Sequence, residues 1–222
     1  MTKERLNKLK KKLNILNLDG YVVPKNDEFF SEYSLKDRLK FISNFSGSAG
    51  YAVILKNKNF LFVDGRYSIQ AQIESGKLFK IKKIREIFNC TLLKGLTLGI
   101  DPKMFTSHQI YNFFSKNNYI KLINKNLVDQ IFPKKLNISK PFYSIDEKIV
   151  GESFLKKIDR TTKIMKKENS DYLFVSAPEN VAWLLNIRGF DNPNSPIPNC
   201  RLFLTKKKNF FLICDKSKVK RL

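Results

Sequence analysis

The sequence predicts an α/β protein made of two related domains, the second of them incomplete. Strand-like apolar runs alternate with amphipathic helical segments, which favours a mixed sheet with flanking helices. The same order of segments starts again after an offset of about 150 residues. The 222 residues are 42% hydrophobic and 13% aromatic, enough to bury one or two cores. We place the first domain at 1–133, a linker at 134–147 and the second domain at 148–222.

The first domain is predicted to open with a helix, because leucines from Leu6 to Leu16 recur at helical spacing between lysines. A buried strand that stops at Pro24 follows. A hairpin comes next, with strands at 51–55 and 60–63 around a tight polar turn. Further helices are predicted at 66–75, at 84–93 and after a cap at Thr106 or Ser107, and further strands at 78–81, 96–100 and 119–123.

The second domain is predicted to begin in the same way. Apolar positions from Leu155 to Met165 indicate a basic amphipathic helix, and residues 172–175 read as a buried strand. Ser176 and Glu179 have the spacing of a capping box for the next helix. Three segments match the first domain in order: 19–24 with 171–176, 44–47 with 186–189, and 58–63 with 208–213.

Common helix and strand patterns can match by coincidence, but three matches at nearly constant offset favour a duplicated α/β domain. The first copy continues past its hairpin with more helices and strands, so we expect the second copy to lack that part. An unfinished layer leaves a sheet edge and an apolar face uncovered. We therefore expect the second half to be marginally stable in isolation.

The formal net charge of +22 raises the question of a nucleic-acid partner. The lysines are spread from Lys3 to Lys220 without a recognised binding motif, so we expect non-specific attraction to polyanions and no specific nucleic acid. The three cysteines are far apart and form no CxxC pair, which favours a reducing compartment. The charged start and the absence of long apolar runs predict a cytoplasmic protein without a membrane partner.

Few residues are candidates for chemistry. His108, the single histidine, has no carboxylates at ligand spacing, so we expect a surface or helix-cap histidine and no metal site. The loop at 46–50 (SGSAG) lacks the Gly-Lys-Ser/Thr ending of a phosphate loop, and its serines lack an evident base. We therefore predict no catalytic residue, and we interpret the loop as a tight turn where backbones approach closely. Trp183 is expected to pack in a core.

The best functional candidate is the turn formed by Asp64, Gly65 and Arg66. Gly65 would permit a sharp turn out of the hairpin, and Arg66 would begin the next helix at the edge of the sheet. A guanidinium there can offer a rigid fork to a peptide carboxylate or carbonyl. Equally, Arg66 can pair with Asp64 or another acid and simply fix the turn.

Five motifs together resemble the N-terminal half of the cytosolic three-domain Xaa-Pro aminopeptidases. The sharpest are FISNFSGSAG at 41–50 and VDGRYSIQA at 63–71, supported by GIDP at 99–102, NLVDQI at 126–131 and VAWLLNIRG at 181–189. Each motif alone is weak, but their order and spacing are specific. The resemblance covers nearly the whole chain. It implies two creatinase-N-terminal-like domains, of which the second is truncated.

In this family the catalytic domain, of the pita-bread fold, follows these two domains and holds two metal ions, commonly manganese. The resemblance therefore implies that this chain carries no cofactor of its own, is inactive alone, and needs the absent C-terminal catalytic domain. It also implies that Arg66 contacts the peptide substrate, and that the chain gates short proline-containing peptides, packs against the catalytic domain or a full-length subunit, and takes part in a homodimer. The alternative is a stand-alone α/β binding module for a partner protein or a polyanion.

Overall fold

The helices and strands group into two units in the computed structural model, which describes residues 1–133, 140–220 and 222. The described residues of Met1–Glu28 and Lys36–Lys134 form the first unit, and those of Phe29–Leu35 and Lys135–Leu222 form the second. Part of the predicted linker, 134–139, lies outside the described residues. The end of that linker carries a short strand at Tyr143–Ser144, which belongs to the second unit.

The first unit follows the predicted alternation of helices and strands. In chain order its elements are α1 (Thr2–Ile15), β1 (Gly20–Pro24), α2 (Arg38–Ser43), β2 (Gly50–Leu55), β3 (Asn59–Val63), α3 (Ser68–Ser75), β4 (Lys80–Lys83), β5 (Thr97–Ile100), α4 (Ser107–Gln109) and β6 (Tyr119–Leu122). The described strands form one mixed sheet in the order β4-β3-β2-β1-β5-β6. The hairpin β2–β3 and the pair β1–β2 are antiparallel, whereas the outer pairings are parallel.

Both faces of this sheet are buried. On one face α1 packs Leu6, Leu9 and Leu13 onto the sheet, as their helical spacing predicts. On the other face Val53, Phe62 and other strand residues pack against the segments that follow β4 and β5. Strands covered on both sides read as continuous apolar runs, which explains the composition of β1, β2 and β3.

Two predicted helices of the first unit differ from the expectation. The segment 84–93 forms 3₁₀ turns at Ile84–Asn89 and Thr91–Leu93 instead of one α-helix. After Thr106, whose side chain caps α4 as predicted, the chain continues as a π-helix at Ile110–Ser115. The strand expected at 78–81 lies slightly later, at Lys80–Lys83.

The second unit repeats the opening of the first. Its elements are β7 (Tyr143–Ser144), α5 (Glu147–Val150), α6 (Phe154–Lys167), β8 (Tyr172–Val175), α7 (Pro178–Leu185), β9 (Ile187–Arg188), β10 (Arg201–Thr205) and β11 (Phe210–Ile213). Strands β11-β10-β8 form an antiparallel sheet, and β7 pairs with β9. Strand β8, followed by the hairpin β10–β11, corresponds to β1 followed by β2–β3, as the internal repeat predicts. Among the described residues the second sheet has no counterpart of β4, β5 or β6.

Three expectations for the second unit are wrong in detail. The strand β8 is not fully buried, since Tyr172 and Phe174 face outward and are more than half exposed. Leu155 on α6 is likewise exposed, whereas Ile158 and Met165 are buried. The capping box of Ser176 does not form, because α7 starts one residue later, with Ala177 as its N-cap and Pro178 as its first residue.

Candidate substrate-contact edge of the first unit

The turn that carries Arg66 is fixed by Asp64. Strand β3 ends at Val63, and Asp64 caps a 3₁₀ turn at Gly65–Tyr67 that leads into α3. The Asp64 carboxylate accepts hydrogen bonds from the Arg66 backbone N–H at 3.0 Å and from Arg66 Nε at 2.9 Å. These two bonds hold the pKa of Asp64 below its usual value. The alternative that Arg66 pairs with Asp64 is therefore realised in the structure.

Pairing with Asp64 leaves the Arg66 side chain largely accessible. It is 73% exposed, and its guanidinium carbon lies 5.4 Å from the centre of the Tyr67 ring. The hydrogen bond from Nε to Asp64 places the guanidinium at the end of β3. Pairing with Asp64 and presentation to a ligand are therefore compatible at Arg66.

The glycine of this turn behaves differently from the expectation. Gly65 does not adopt a left-handed conformation, and a Cβ atom built there would meet no atom within 4 Å. The turn itself therefore does not require glycine. The turn predicted at Gly65 is present, and the Asp64 cap stabilises it.

The loop at 46–50 is bonded to the helix that follows Arg66. The Ser46 backbone N–H and Oγ donate to the two Glu74 carboxylate oxygens at 2.8 Å and 2.7 Å, and Gln70 Nε2 donates to Ser46 Oγ at 2.8 Å. Burial alone would raise the pKa of Glu74, but the hydrogen bonds from Ser46 outweigh it and hold the pKa below the usual value. The Ser46 backbone N–H is thus already bonded to the Glu74 carboxylate, whereas a phosphate loop would use such a group to bind an anion.

A second set of contacts joins the same loop to the Arg66 turn. Ser48 Oγ and the Tyr67 hydroxyl lie 2.8 Å apart in a hydrogen bond, and the Tyr67 ring meets Phe45 edge-on at 5.9 Å. A Cβ atom on Gly47 would lie 2.3 Å from the Phe45 ring, so this position does require glycine. The motifs at 41–50 and 63–71, the sharpest in the sequence, therefore form a single packed element that carries Arg66.

The supporting motifs at 99–102 and 126–131 also meet in space. Asn126 Nδ2 donates to Asp101 Oδ2 at 3.0 Å, and Asn126 Oδ1 accepts from the Val128 backbone N–H at 2.9 Å. In the same motif Asp129 accepts two hydrogen bonds from the buried Arg38 at 2.7 Å and 2.9 Å. Sequence reasoning missed Arg38, since its partner is 91 residues away and no local pattern links them.

The remaining candidates are placed as follows. His108 is exposed on α4, in agreement with a surface histidine. Trp183 on α7 is 51% exposed, so its expected core position is wrong, and the Lys157 ammonium lies 4.6 Å from its ring centre. Within the described ranges, no three His, Cys, Asp or Glu side chains gather as metal ligands would. None of the described helices is long and apolar enough to cross a membrane.

Two family comparisons account for most of the chain. A sequence model of the Creatinase/Prolidase N-terminal domain matches residues 5–129, and a second model of the same description matches residues 133–222. The chain belongs to the Creatinase/Prolidase N-terminal domain family. The predicted fold class, a mixed α/β protein with two related creatinase-N-terminal-like domains, is thereby confirmed.

Curated relatives of this family member are aminopeptidases. A probable Xaa-Pro aminopeptidase P of Coprinopsis cinerea is 32% identical over 212 residues, covering 88% of this chain and 34% of that protein. Aminopeptidase P1 of Lotus japonicus is 33% identical over 220 residues, covering 91% of this chain and 32% of that protein. The chain thus spans about a third of the length of the curated relatives it matches.

A solved structure matches the whole Creatinase/Prolidase N-terminal chain. It is the X-prolyl aminopeptidase of Caenorhabditis elegans, described as a cytosolic enzyme with a di-nuclear active site. The match has a TM-score of 0.88 and 26% sequence identity, and it covers 100% of this chain and 40% of that one. The resemblance to the N-terminal part of Xaa-Pro aminopeptidases, predicted from the five motifs, is confirmed.

Proposed function

We propose that this chain is the N-terminal, non-catalytic region of an Xaa-Pro aminopeptidase, an enzyme that removes the N-terminal residue before a penultimate proline. The observation that carries the proposal is the end-to-end match with the C. elegans enzyme, which uses 40% of that chain and all of this one. Catalysis then belongs to the part of such enzymes that this chain does not match. The roles left to residues 1–222 are gating of short peptides, packing against the catalytic domain, and dimer formation.

The metal-ligating side chains among the described residues support the assignment of catalysis to another domain. A di-nuclear centre needs several carboxylates that converge with imidazole, and His108 is exposed without such a group around it. The residues described here therefore do not fit the metal pair. In the proposal two divalent ions, commonly manganese in the family, bind in the catalytic domain. A cytoplasmic location is proposed from the cytosolic description of the C. elegans relative.

Arg66 is the residue through which we propose that this region touches the peptide. Its Nε is anchored by Asp64 at 2.9 Å, and the side chain is mostly exposed at the end of β3. An anchored guanidinium loses little conformational freedom when it binds a carboxylate or carbonyl, which suits a contact to a short peptide. The bonds from Ser46 and Ser48 to α3 and Tyr67 keep this turn rigid.

The test joins residues 1–222 to the part of the C. elegans enzyme that the chain does not match, with manganese added. We expect turnover of Xaa-Pro peptides by the joined protein and none by residues 1–222 alone. Arg66→Ala should lower kcat/KM about tenfold, roughly 1.4 kcal/mol of transition-state binding. Arg66→Lys should recover part of the loss, because the charge stays while the fork is lost.

Arg85→Ala is the matched control, because Arg85 is another exposed arginine of the first unit, at the 3₁₀ turn after β4. It should leave both kcat and KM unchanged. A joined protein that folds and binds manganese but does not cleave Xaa-Pro peptides would contradict the proposed function. Normal kinetics for Arg66→Ala would contradict the substrate role of Arg66 alone.

A further inference from the structure

Two of the three cysteines come to lie opposite each other at the open end of the β10–β11 hairpin. The antiparallel register pairs Arg201 with Ile213. The paired strands end at these two residues, and the same register continued by one residue places Cys200, just before β10, opposite Cys214, just after β11. Residues directly opposite in antiparallel strands have Cα atoms about 4.5–5.5 Å apart, within the range that a disulfide spans.

The hydrogen-bond pattern of the hairpin indicates which kind of pair this is. The Thr205 backbone N–H donates to the Asn209 carbonyl at 2.9 Å, which marks a hydrogen-bonded pair next to the turn. Hydrogen-bonded and non-hydrogen-bonded pairs alternate along an antiparallel ladder. Counting back from the turn makes Cys200 and Cys214 a non-hydrogen-bonded pair, the type in which side chains are closest.

Both thiols lie on the inner face of the sheet, where they pack in the same core as Leu202 and Leu212. Cys200 is completely buried, whereas Cys214 is partly exposed. Burial raises the pKa of Cys200 to about 12, with a contribution from the neighbouring Cys214, and burial also raises the pKa of Cys214. Both groups are therefore protonated thiols at neutral pH, which makes them slow to oxidise but leaves Cys214 within reach of a reagent.

We propose that Cys200 and Cys214 form a redox-sensitive dithiol that closes a disulfide across the β10–β11 hairpin when a small-molecule disulfide such as oxidised glutathione is present. The thiolate of Cys214 attacks the glutathione disulfide, which forms a mixed disulfide and releases one glutathione. The thiolate of Cys200 then displaces the second glutathione and completes the protein disulfide. Two protein thiols are oxidised and one glutathione disulfide is reduced to two glutathione molecules, which take up the two protons.

The bond would join the two ends of the hairpin and so hold β11, a strand at the edge of the described sheet. Edge strands fray first, since one side of their backbone lacks sheet partners. The disulfide also removes freedom from the unfolded second unit, which favours its folded state. In a reducing compartment the dithiol stays open, as the structure shows it.

The test treats the full chain with oxidised glutathione at pH 8 and follows it by intact mass, thiol counting and peptide mapping. We expect Cys200 and Cys214 to become linked within one chain, while the partly exposed Cys90 forms at most a mixed disulfide with glutathione. The Cys90→Ser variant should behave in the same way. Cys200→Ser should stop at the mixed disulfide on Cys214, and Cys214→Ser should react much more slowly at the buried Cys200.

Retention of all three thiols, reaction at Cys90 alone, or a disulfide between two chains would overturn the proposal. The wild-type peptide map decides this even if a cysteine variant does not fold. As a second readout, amide exchange in β11 should slow by roughly tenfold on oxidation and recover with dithiothreitol, while β3 stays unchanged. Equal exchange in β11 before and after oxidation would show that the bond does not hold the edge strand.

Discussion

At the scale of single residues, the first unit contains a buried arginine, Arg38, that is paired with an aspartate from a distant segment. The side chain of Arg38 is 6% exposed, and Asp129 accepts from its Nε and Nη2 at 2.7 Å and 2.9 Å. Glu28 lies farther away, at 3.5 Å, and is 42% exposed. Because a buried guanidinium without its partner is costly, the two acids are expected to differ strongly in effect.

We predict that Asp129→Asn lowers the free energy of unfolding of the first unit by about 2 kcal/mol, since Arg38 stays buried with a weaker partner. Glu28→Gln is the control and should change it by less than about 0.5 kcal/mol, because the Glu28 carboxylate faces solvent and lies 3.5 Å from the guanidinium. Urea unfolding at neutral pH measures both. Equal effects of the two substitutions would mean that the bidentate pair does not stabilise the fold.

The stability that the Arg38–Asp129 pair contributes should depend on pH. Burial alone would raise the pKa of Asp129, but the bonds from Arg38 and Lys36 outweigh it and lower the pKa below the usual 3.8. A lowered folded-state pKa contributes stability that is complete well above 3.8 and is lost as pH falls through the lowered value. The unfolding free energy of the wild type should therefore fall more steeply below about pH 4 than that of Asp129→Asn.

At the scale of elements, two glycines of the candidate site provide a matched pair. A Cβ atom at Gly47 would lie 2.3 Å from the Phe45 ring, whereas one at Gly65 would meet nothing within 4 Å. We predict that Gly47→Ala destabilises the first unit by about 1–3 kcal/mol through overpacking. Gly65→Ala should be neutral or stabilising by about 0.5 kcal/mol, because it restricts the unfolded chain. The melting temperatures of both variants measure this difference. Similar shifts for the two variants would contradict the prediction that Gly47 is closely packed and Gly65 is not.

The elements also show how far a sequence alone leads. The hairpin at 51–63 was predictable because both its strands are short apolar runs around a polar turn, and β2 and β3 form as expected. The helix predicted at 84–93 is wrong, although the residues that pack inward, Ile84, Ile87, Cys90 and Leu93, are three apart. A spacing of three residues matches the 3.0 residues per turn of a 3₁₀ helix, whereas an α-helix has 3.6. The sequence therefore contains a signal for 3₁₀ turns in this segment.

Other features had no local signal. The link between Arg38 and Asp129 and the opposition of Cys200 and Cys214 depend on chain segments that meet only after folding. The Arg66 turn was found from the sequence, but the bond between Ser46 and Glu74 beside it was not, because hydrogen bonds between a loop and a distant helix leave no periodic pattern. Contacts between segments that are distant in sequence can therefore be found only from the folded structure.

At the scale of the whole molecule, the two units bury their sheets to different extents. The sheet of the first unit is covered on both faces by apolar clusters. In the second unit one face packs against α6 and α7, while the other presents Phe174, Phe211 and Ile213, each at least half exposed. Less apolar surface removed from water means less stabilisation, so the two related sheets should differ in local stability.

We predict that, with reductant present, amide exchange across 171–214 is at least tenfold faster than across 50–64, because local opening of the second sheet costs less. Native-state exchange read by mass spectrometry measures both segments in the same molecule, so pH and temperature are matched. Phe211→Ser should leave exchange in the second sheet nearly unchanged, since its ring is already exposed, while Leu202→Ala on the buried face should accelerate it strongly. Exchange as slow at 171–214 as at 50–64 would mean that the three described strands of the second sheet form a stable layer without further cover.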